Sequence, residues 1–526
     1  MRQLFRFHGG VHPAEHKSES AAAPLARAGL PQRLVIPLRQ HIGEPARACV
    51  AVGDKVLKGQ MIGRADGYVS TAIHASTSGV VAAIETRPVA HPSGLMDWCV
   101  VLEADGEERW IERTPLDYER MDASHVRNRL RDLGLAGLGG AVFPSFIKLN
   151  PGAPAKVPTL VINGAECEPW ITCDDRLMRD RAKDVLEGAR IMAALLHSAE
   201  ILVGVEDNKP EAIAALQAAA RGLDFAVAIT AVPTLYPGGG AKQLIQVLTG
   251  KEAPSGGRST DVGVQCFNVG TAYALARAVK HGEPLIARIV TVTGDVERPQ
   301  NFEVLLGTPI AELLAQAGSR PRASGVILGG PMMGFEISDS AAPVVKAANC
   351  LLAKSAELFP PLPPPMPCIR CGACARACPA RLQPHDLYWF ARAKDFGRAQ
   401  EYHLFDCIEC GCCNYVCPSH LPLVDYYRYA KSEIWAREQE KNAADLARRR
   451  HESRLARLER DKAEKTERLA AKAPVKKAQA GVPPGSPEAA ARKALAAETL
   501  ARVQAKQAAP AAAPAAGAGT PSAKAS

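Results

Sequence analysis

The sequence predicts a multidomain chain of mixed α/β class. A β-rich module comes first, then a larger domain of alternating strands and helices, a small mixed module, a helical cysteine-rich domain and a charged tail. Three observations predict this. At 526 residues the chain is too long for one hydrophobic core, and 47% apolar residues is the content of a folded protein. The apolar period changes along the chain, from short alternating runs to a strand–helix alternation. Eight of the 15 cysteines fall into two identically spaced runs. The expected boundaries are 1–120, 121–280, 281–345, 346–430 and 431–526.

Residues 1 to about 30 are polar and irregular. Residues 52–63 and 73–81 carry short apolar runs broken by Gly-Asp and Ser-Gly turns, which read as hairpins. Their phrasing resembles the barrel-sandwich fold of biotinyl and lipoyl domains. The connecting stretch 64–72 holds no Lys to carry such a cofactor, so the module is read as a structural docking or packing domain.

Beyond residue 122 the pattern becomes α/β. Helices are expected at 125–133, 182–196 and 210–221, and strands at 159–162 and 201–205. The alternation implies a mostly parallel sheet. A loop with Gly137, Gly139 and Gly140 leads to Phe143 and Lys148. Glycine lets backbone N–H groups approach a phosphate or a flat ring; the same loop also serves as a tight turn. Strand 159–162 runs into Asn163, Glu166 and Glu168, with Asp174 and Asp175 close behind. Polar groups past the carboxyl end of a strand lie where open α/β sheets bind ligands. A second glycine loop, Gly238, Gly239 and Gly240, opens a helix whose N-terminus suits an anion. Asn268, ahead of Thr271, begins the next helix and either caps it or reaches a ligand. Strands 289–294 and 325–330 flank a short helix at 310–317, suggesting a small β-grasp module. A Pro-rich linker, 358–367, enters the cysteine domain.

The first run is Cys368, Cys371, Cys374, Cys378 and then Pro379; the second is Cys407, Cys410, Cys413, Cys417 and then Pro418. This is the ligand run of bacterial ferredoxins written twice, in which the last Cys of each run serves the other [4Fe–4S] cluster. The expected sets are Cys368, Cys371, Cys374 and Cys417 for one cluster, and Cys378, Cys407, Cys410 and Cys413 for the second. Zinc sites pair two CxxC hooks across a longer loop, and disulfides need an oxidising compartment. The third Cys at the same gap and the terminal Pro fit neither. Cys412 is out of register and reads as a packed thiol. The 28 residues between the runs, 379–406, with a helical period at 386–398, predict a helical ferredoxin domain.

No stretch approaches 18 consecutive apolar residues, and the N-terminus carries no long apolar segment of a signal peptide. The net charge of +9 lies wholly in the tail: residues 431–526 hold 20 basic and 11 acidic side chains, and the body holds 44 of each. From 423 to about 471 the chain reads as a charged helix. Beyond Pro474 its Ala, Pro, Lys and Gly predict disorder.

The motifs Gly137-x-Gly139-Gly140-x-x-Phe143-Pro144-x-x-x-Lys148, Asn163-x-x-Glu166-x-Glu168-Pro169 and Asn268-x-x-Thr271 resemble the FMN- and NADH-binding core of the complex I flavoprotein subunit. Leu138 stands where that subunit has Arg, and Ala165 where it has Asp. The domain order, barrel sandwich, flavoprotein-like domain, β-grasp (SLBB-like) module and two-cluster helical ferredoxin domain, resembles the RnfC/RsxC family of the Rnf (Rsx) ion-translocating electron transport complexes. The resemblance spans about residues 1–430.

It implies an electron-input subunit that passes electrons between NADH, FMN and two [4Fe–4S] clusters, coupled elsewhere in the complex to Na⁺ or H⁺ movement. Gly137, Gly139, Gly140 and Lys148 would hold phosphate and ring, with Phe143, Gly239 and Gly240 beside them. Asn163, Glu166, Asn268 and Thr271 would bond the flavin, and Glu168 would face NADH. The implied partners are membrane subunits of an Rnf/Rsx-type complex and a ferredoxin-like iron–sulfur subunit, not nucleic acid. The implied place is the cytoplasmic side of the inner membrane, peripherally bound. Two other readings stay open: a soluble diaphorase subunit, and a flavin-free iron–sulfur relay or scaffold.

Overall fold

Alternating apolar residues build the first module in this computed structural model, which describes residues 2–152, 156–320, 322–480 and 485–507. Strands Arg33–Pro37, Gly79–Pro88 and Met96–Ala104 pair antiparallel. Leu34, Ile36, Val81, Val100 and Leu102 point from them into a core shared with Ile62 and Ile73 of a second small sheet.

The second domain is a four-stranded sheet in the order Ala228–Val232, Glu200–Glu206, Thr159–Gly164, Val264–Asn268, every pair parallel. The chain winds outward from Thr159–Gly164 in one direction, then returns to add Val264–Asn268 on its other side. The carboxyl ends of these two strands therefore form a topological switch point. Helix Cys173–Leu196 is kinked at Arg181, where φ is −134°, so the expected helix 182–196 is its second segment and the first is an addition. The added turns bury Leu177 and Met178 and are braced by ion pairs such as Arg179–Asp175 (2.6 Å), but charged residues at 174–176 and 179–181 mask their period. The helix packs on helix Val269–His281 at Gly188, where any Cβ would collide with the Ala272 backbone. The other expected strands and helices of this domain fall within two residues of their places.

The third module is a mixed sheet that reaches beyond its expected span of 281–345. Strand Cys350–Lys354 lies between Ala287–Gly294 and Gly325–Leu328, and Ala26–Arg27 from the N-terminus adds a parallel edge. Both segments are short and far from the module's centre in sequence, so local pattern cannot assign them. Residues 2–20 are a strap, not a free end. Phe5 N donates to Val247 O (2.9 Å), Val11 and Tyr236 exchange two backbone bonds (2.8 and 3.1 Å), and Gly10 N donates to Ala377 O (3.0 Å).

The cysteine domain is helical, with Ala373–Ala377, Pro384–Arg392, Phe396–Glu401 and Cys412–Tyr415 around a core of Leu387, Phe396, Leu404 and Tyr427. The modules up to Ile434 form one compact unit, and Trp435–Ser526 forms another. Helix Leu423–Ala480 continues past Pro474, and Pro487–Gln507 is a second helix, where composition predicts disorder. Alanine-rich sequence has high helix propensity without a core to bury, and composition alone does not distinguish the two states. Residues 481–484 and 508–526, for which disorder is also expected, lie outside the described residues.

Candidate functional site

Cys368, Cys371, Cys374 and Cys417 line one small cavity, and Cys378, Cys407, Cys410 and Cys413 line another. The two runs fold alike. The second residue after the leading Cys takes positive φ (Arg370, +56°; Glu409, +57°), as does the glycine after the next Cys (Gly372, +72°; Gly411, +77°). This turn directs the Arg370 N–H to Cys368 Sγ and the Glu409 N–H to Cys407 Sγ, each at 3.4 Å. Four converging sulfurs with amides donating to them are the donor set of a cubane, and no cysteine is in a disulfide. The residues thus fit two such clusters. Burial pushes the Cys407 thiol up to about 12, so loading it with metal would release a proton. Cys412 is fully buried among Val11, Tyr236 and Ala377.

The two quartets differ in exposure. Cys371 is exposed and Cys368, Cys374 and Cys417 are half-buried, whereas Cys378, Cys410 and Cys413 are buried and Cys407 is half-buried. The buried quartet is the inner one. Cys410 and Cys412 share an apolar cluster with Tyr236 and Cys167 of the α/β domain and Met332 of the third module.

At the switch point, Asn163 and Asn268 sit in register at the ends of their strands. The loop carrying Gly137, Gly139 and Gly140 lies against them, and a Cβ on Gly139 would press on Asn268 Cβ at 3.0 Å. Gly239 joins from the second glycine loop, its carbonyl accepting from Asn163 Nδ2 (2.7 Å), and Gly240 caps helix Ala241–Thr249. So the structure gathers Gly137, Gly139, Gly140, Asn163, Gly239, Gly240, Asn268 and Thr271 at one place.

Their side chains are already employed. Asn268 caps its helix through Gly270 N (2.8 Å) and donates to Asp174 (2.6 Å), and Thr271 accepts from Leu138 N (2.9 Å). The Glu166 carboxylate accepts from Asp174 N (2.6 Å) and Asp175 N (3.2 Å), capping helix Cys173–Leu196. Burial, then the neighbouring Glu166 charge, raises the Asp174 carboxyl to about 7. Lys148 donates to the Cys266 carbonyl and lies over the Phe267 ring (4.5 Å). Glu168 stands apart: its Oε1 accepts from Met332 N (2.7 Å) and Met333 N (3.0 Å) of the third module.

What the loop offers a ligand is backbone. Residues 139–141 are exposed, Gly140 has φ +103° with open space at its Cβ position, and the N–H groups of 139–143 donate to no described protein atom. Free amides beside two helix N-termini suit the phosphate of a flavin nucleotide, so the site fits FMN through its main chain. A cavity of about 330 Å³ lies elsewhere, between the first three modules, and meets the site through Leu138, Asp174 and Gly270. Convergent glycine loops at a switch point are the stronger signal, because size alone does not orient a ligand.

Sequence reasoning misses Lys17 and Tyr236. The Lys17 ammonium donates to the carbonyls of Glu166 (2.7 Å), Glu168 (2.9 Å) and Ile171 (2.6 Å), pinning the loop that carries both acids. No local signal marks Lys17. Tyr236 stands next to the second glycine loop, and that neighbourhood is the one signal that could have found it.

Comparison with known proteins agrees with this layout. Residues 5–107 match the RnfC barrel sandwich hybrid domain, 130–277 the Nuo51 FMN-binding domain, 289–336 the SLBB domain and 367–421 the 4Fe-4S dicluster domain. The chain is 49% identical over 472 residues to the C subunit of the ion-translocating oxidoreductase complex of Klebsiella pneumoniae, covering 89% of this chain and 62% of that protein. The protein of the same description from Serratia proteamaculans is 47% identical (89% and 66% covered), and that from Salmonella gallinarum 48% (88% and 68%). The chain thus spans 62–68% of the length of these relatives. A structure described as NAD+-reducing [NiFe]-hydrogenase in the H2-reduced state aligns with TM-score 0.41 and 19% identity, over 57% of this chain and 61% of that one.

Proposed function

Because the chain belongs to the family of C subunits of ion-translocating oxidoreductase complexes, we propose that it is the electron-input subunit of such a complex, exchanging electrons between NADH and a one-electron iron–sulfur carrier. One observation carries this reading: a single compact unit holds the switch-point site and, across a shared apolar cluster, the inner cysteine quartet. FMN, when bound, supplies the exchange between a hydride pair and single electrons, and iron–sulfur clusters accept only the latter.

The amides of residues 139–143, with Gly137, Gly239 and Gly240, would hold the flavin nucleotide. Asn163, Asn268 and Thr271 would keep those loops in place, and Phe143 would shield the site. Glu166 and Lys17 would fix the loop from beneath. The inner quartet would lie on the flavin side and the outer quartet on the partner side.

The rim of the outer quartet supports that order. Ile369 is 68% and Met366 54% exposed, and Arg370 and Arg376 have no carboxylate partner among the described residues. An apolar patch with arginines that no carboxylate neutralises suits the acidic face of a ferredoxin-like partner. No described helix is long and apolar enough to cross a membrane, so the ion path would belong to membrane subunits. The chain would bind them peripherally, on the cytoplasmic side of the inner membrane.

The test is anaerobic purification with flavin and iron analysis, followed by optical titration with NADH. About one flavin and about eight irons per chain, with bleaching by NADH, are expected. Iron without flavin or bleaching would reduce the chain to a relay. A protein found wholly in the soluble fraction of native cells would point to a diaphorase.

A further inference from the structure

We propose that Tyr236 is a positioning residue for the inner cysteine quartet, and that its hydroxyl raises the reduction potential of the group held there. The proposal rests on the reading that the quartet holds an iron–sulfur cluster.

Tyr236 belongs to the α/β domain, in the loop ahead of Gly239, and is 3% exposed. Its hydroxyl donates to the Cys410 carbonyl at 2.6 Å, across 174 residues of sequence. That carbonyl lies between Cys410 and Gly411. A Cβ on Gly411 would meet the Met332 carbonyl at 2.6 Å, so this peptide is enclosed by two other modules. The tyrosine is itself held. Its ring packs in the apolar cluster with Cys167, Met332 and Cys412, and its one hydroxyl proton goes to Cys410.

The internal repeat supplies a control within the molecule. Cys371 occupies in the first run the place of Cys410 in the second. Its carbonyl accepts from Arg376 Nη1 (3.1 Å), an exposed side chain of its own run. Equivalent carbonyls thus take their donors from different sources: solvent-facing arginine for the outer quartet, buried phenol from the neighbouring domain for the inner one. A cluster held there would gain one negative charge on reduction, close enough to its ligand peptides to feel their dipoles. An O–H dipole aimed at such a peptide stabilises that charge, and its effect is larger where water is excluded. Arg376 sits in water, where its field is screened.

The experiment uses the full chain, purified anaerobically, as wild type, Tyr236→Phe and Arg376→Met. A Cys371→Ser variant identifies which electron paramagnetic resonance signal belongs to the outer quartet. Each protein is titrated electrochemically and assayed for iron and flavin. Tyr236→Phe should lower the midpoint potential of the inner cluster alone, with iron and flavin contents unchanged. Arg376→Met should leave the inner cluster where it was. An unmoved inner potential in Tyr236→Phe would overturn the proposal, as would an equal shift of both clusters or loss of iron. Wild-type protein without iron would instead overturn the reading on which the proposal rests.

Discussion

Replacing Lys209 by Met should destabilise the α/β domain by about 3–5 kcal/mol, the usual cost of removing one partner from a buried ion pair. Lys209 Nζ lies 3.0 Å from Glu206 Oε2, with the two side chains 2% and 1% exposed, and it also donates to Asn208 Oδ1 (2.8 Å). Burial alone would lower the Lys209 ammonium, but Glu206 and Glu166 beside it hold it above the ordinary lysine value. Burial raises the Glu206 carboxyl even with Lys209 and Lys17 near it. Without the ammonium, Glu206 must stay charged without its ion-pair partner or take up a proton, and either is costly. For a domain of 150–250 residues each kcal/mol is worth about 2–4 °C, so the melting temperature should fall by about 6–20 °C. The double replacement Glu206→Leu/Lys209→Met removes the stranded charge and should recover most of the loss. Thermal unfolding by circular dichroism on both singles and the double closes the cycle. A loss below about 1 kcal/mol in Lys209→Met, or a double variant as unstable as the single, would refute the reasoning.

Three further outcomes follow from the same structure. Cys374→Ala should remove about half the iron and one paramagnetic signal while leaving flavin content unchanged, as iron and flavin assays will read. Burial first, then the Lys346 charge, holds His74 down to about 3 and His41 to about 4, from an ordinary 6.5. Between those values the unfolded chain binds protons that the folded one does not. Stability should therefore fall with pH from 6.5 toward 3, by at most about 1.4 kcal/mol per pH unit per histidine, and His74→Gln should flatten the melting-temperature profile. Arg370→Glu with Arg376→Glu should slow electron delivery to an acidic ferredoxin by an order of magnitude or so at low salt and by less at high salt, with NADH bleaching of bound flavin unaltered. Stopped-flow kinetics across ionic strength measures it.

What was legible in the sequence is what short segments determine. The cysteine spacing fixes its own turns: Arg370 and Glu409 take positive φ at matched places, because three sulfurs two residues apart converge only when the chain curls that tightly. The parallel sheet was legible for a similar reason, since each strand and crossover helix carries its own period. The strand Cys350–Lys354 was not, because five residues of one short run say nothing about which sheet they enter. Nor was the strap of residues 2–20, whose bonds to Val247, Tyr236 and Ala377 span more than 200 residues each and leave no periodic trace.

The acidic residues at the strand end show why a motif fixes a place better than a role. A carboxylate there can serve a ligand or the fold, and the sequence pattern is the same. In this chain both also bond the fold: Glu166 caps the helix that opens at Cys173, and Glu168 accepts from two amides of the third module. Where a resembling family has Arg and Asp, this chain has Leu138 and Ala165, which are buried and offer no polar group. The surface proposed for the phosphate is main chain, the amides of 139–143, which donate to no described protein atom. Main-chain donors bind phosphate whatever side chains surround them, so a nucleotide site of this kind would not depend on those carboxylates. Gly239 is the less replaceable, because a Cβ there would meet Cys167 Sγ at 2.8 Å, whereas a Cβ at Gly139 would press on Asn268 Cβ at 3.0 Å.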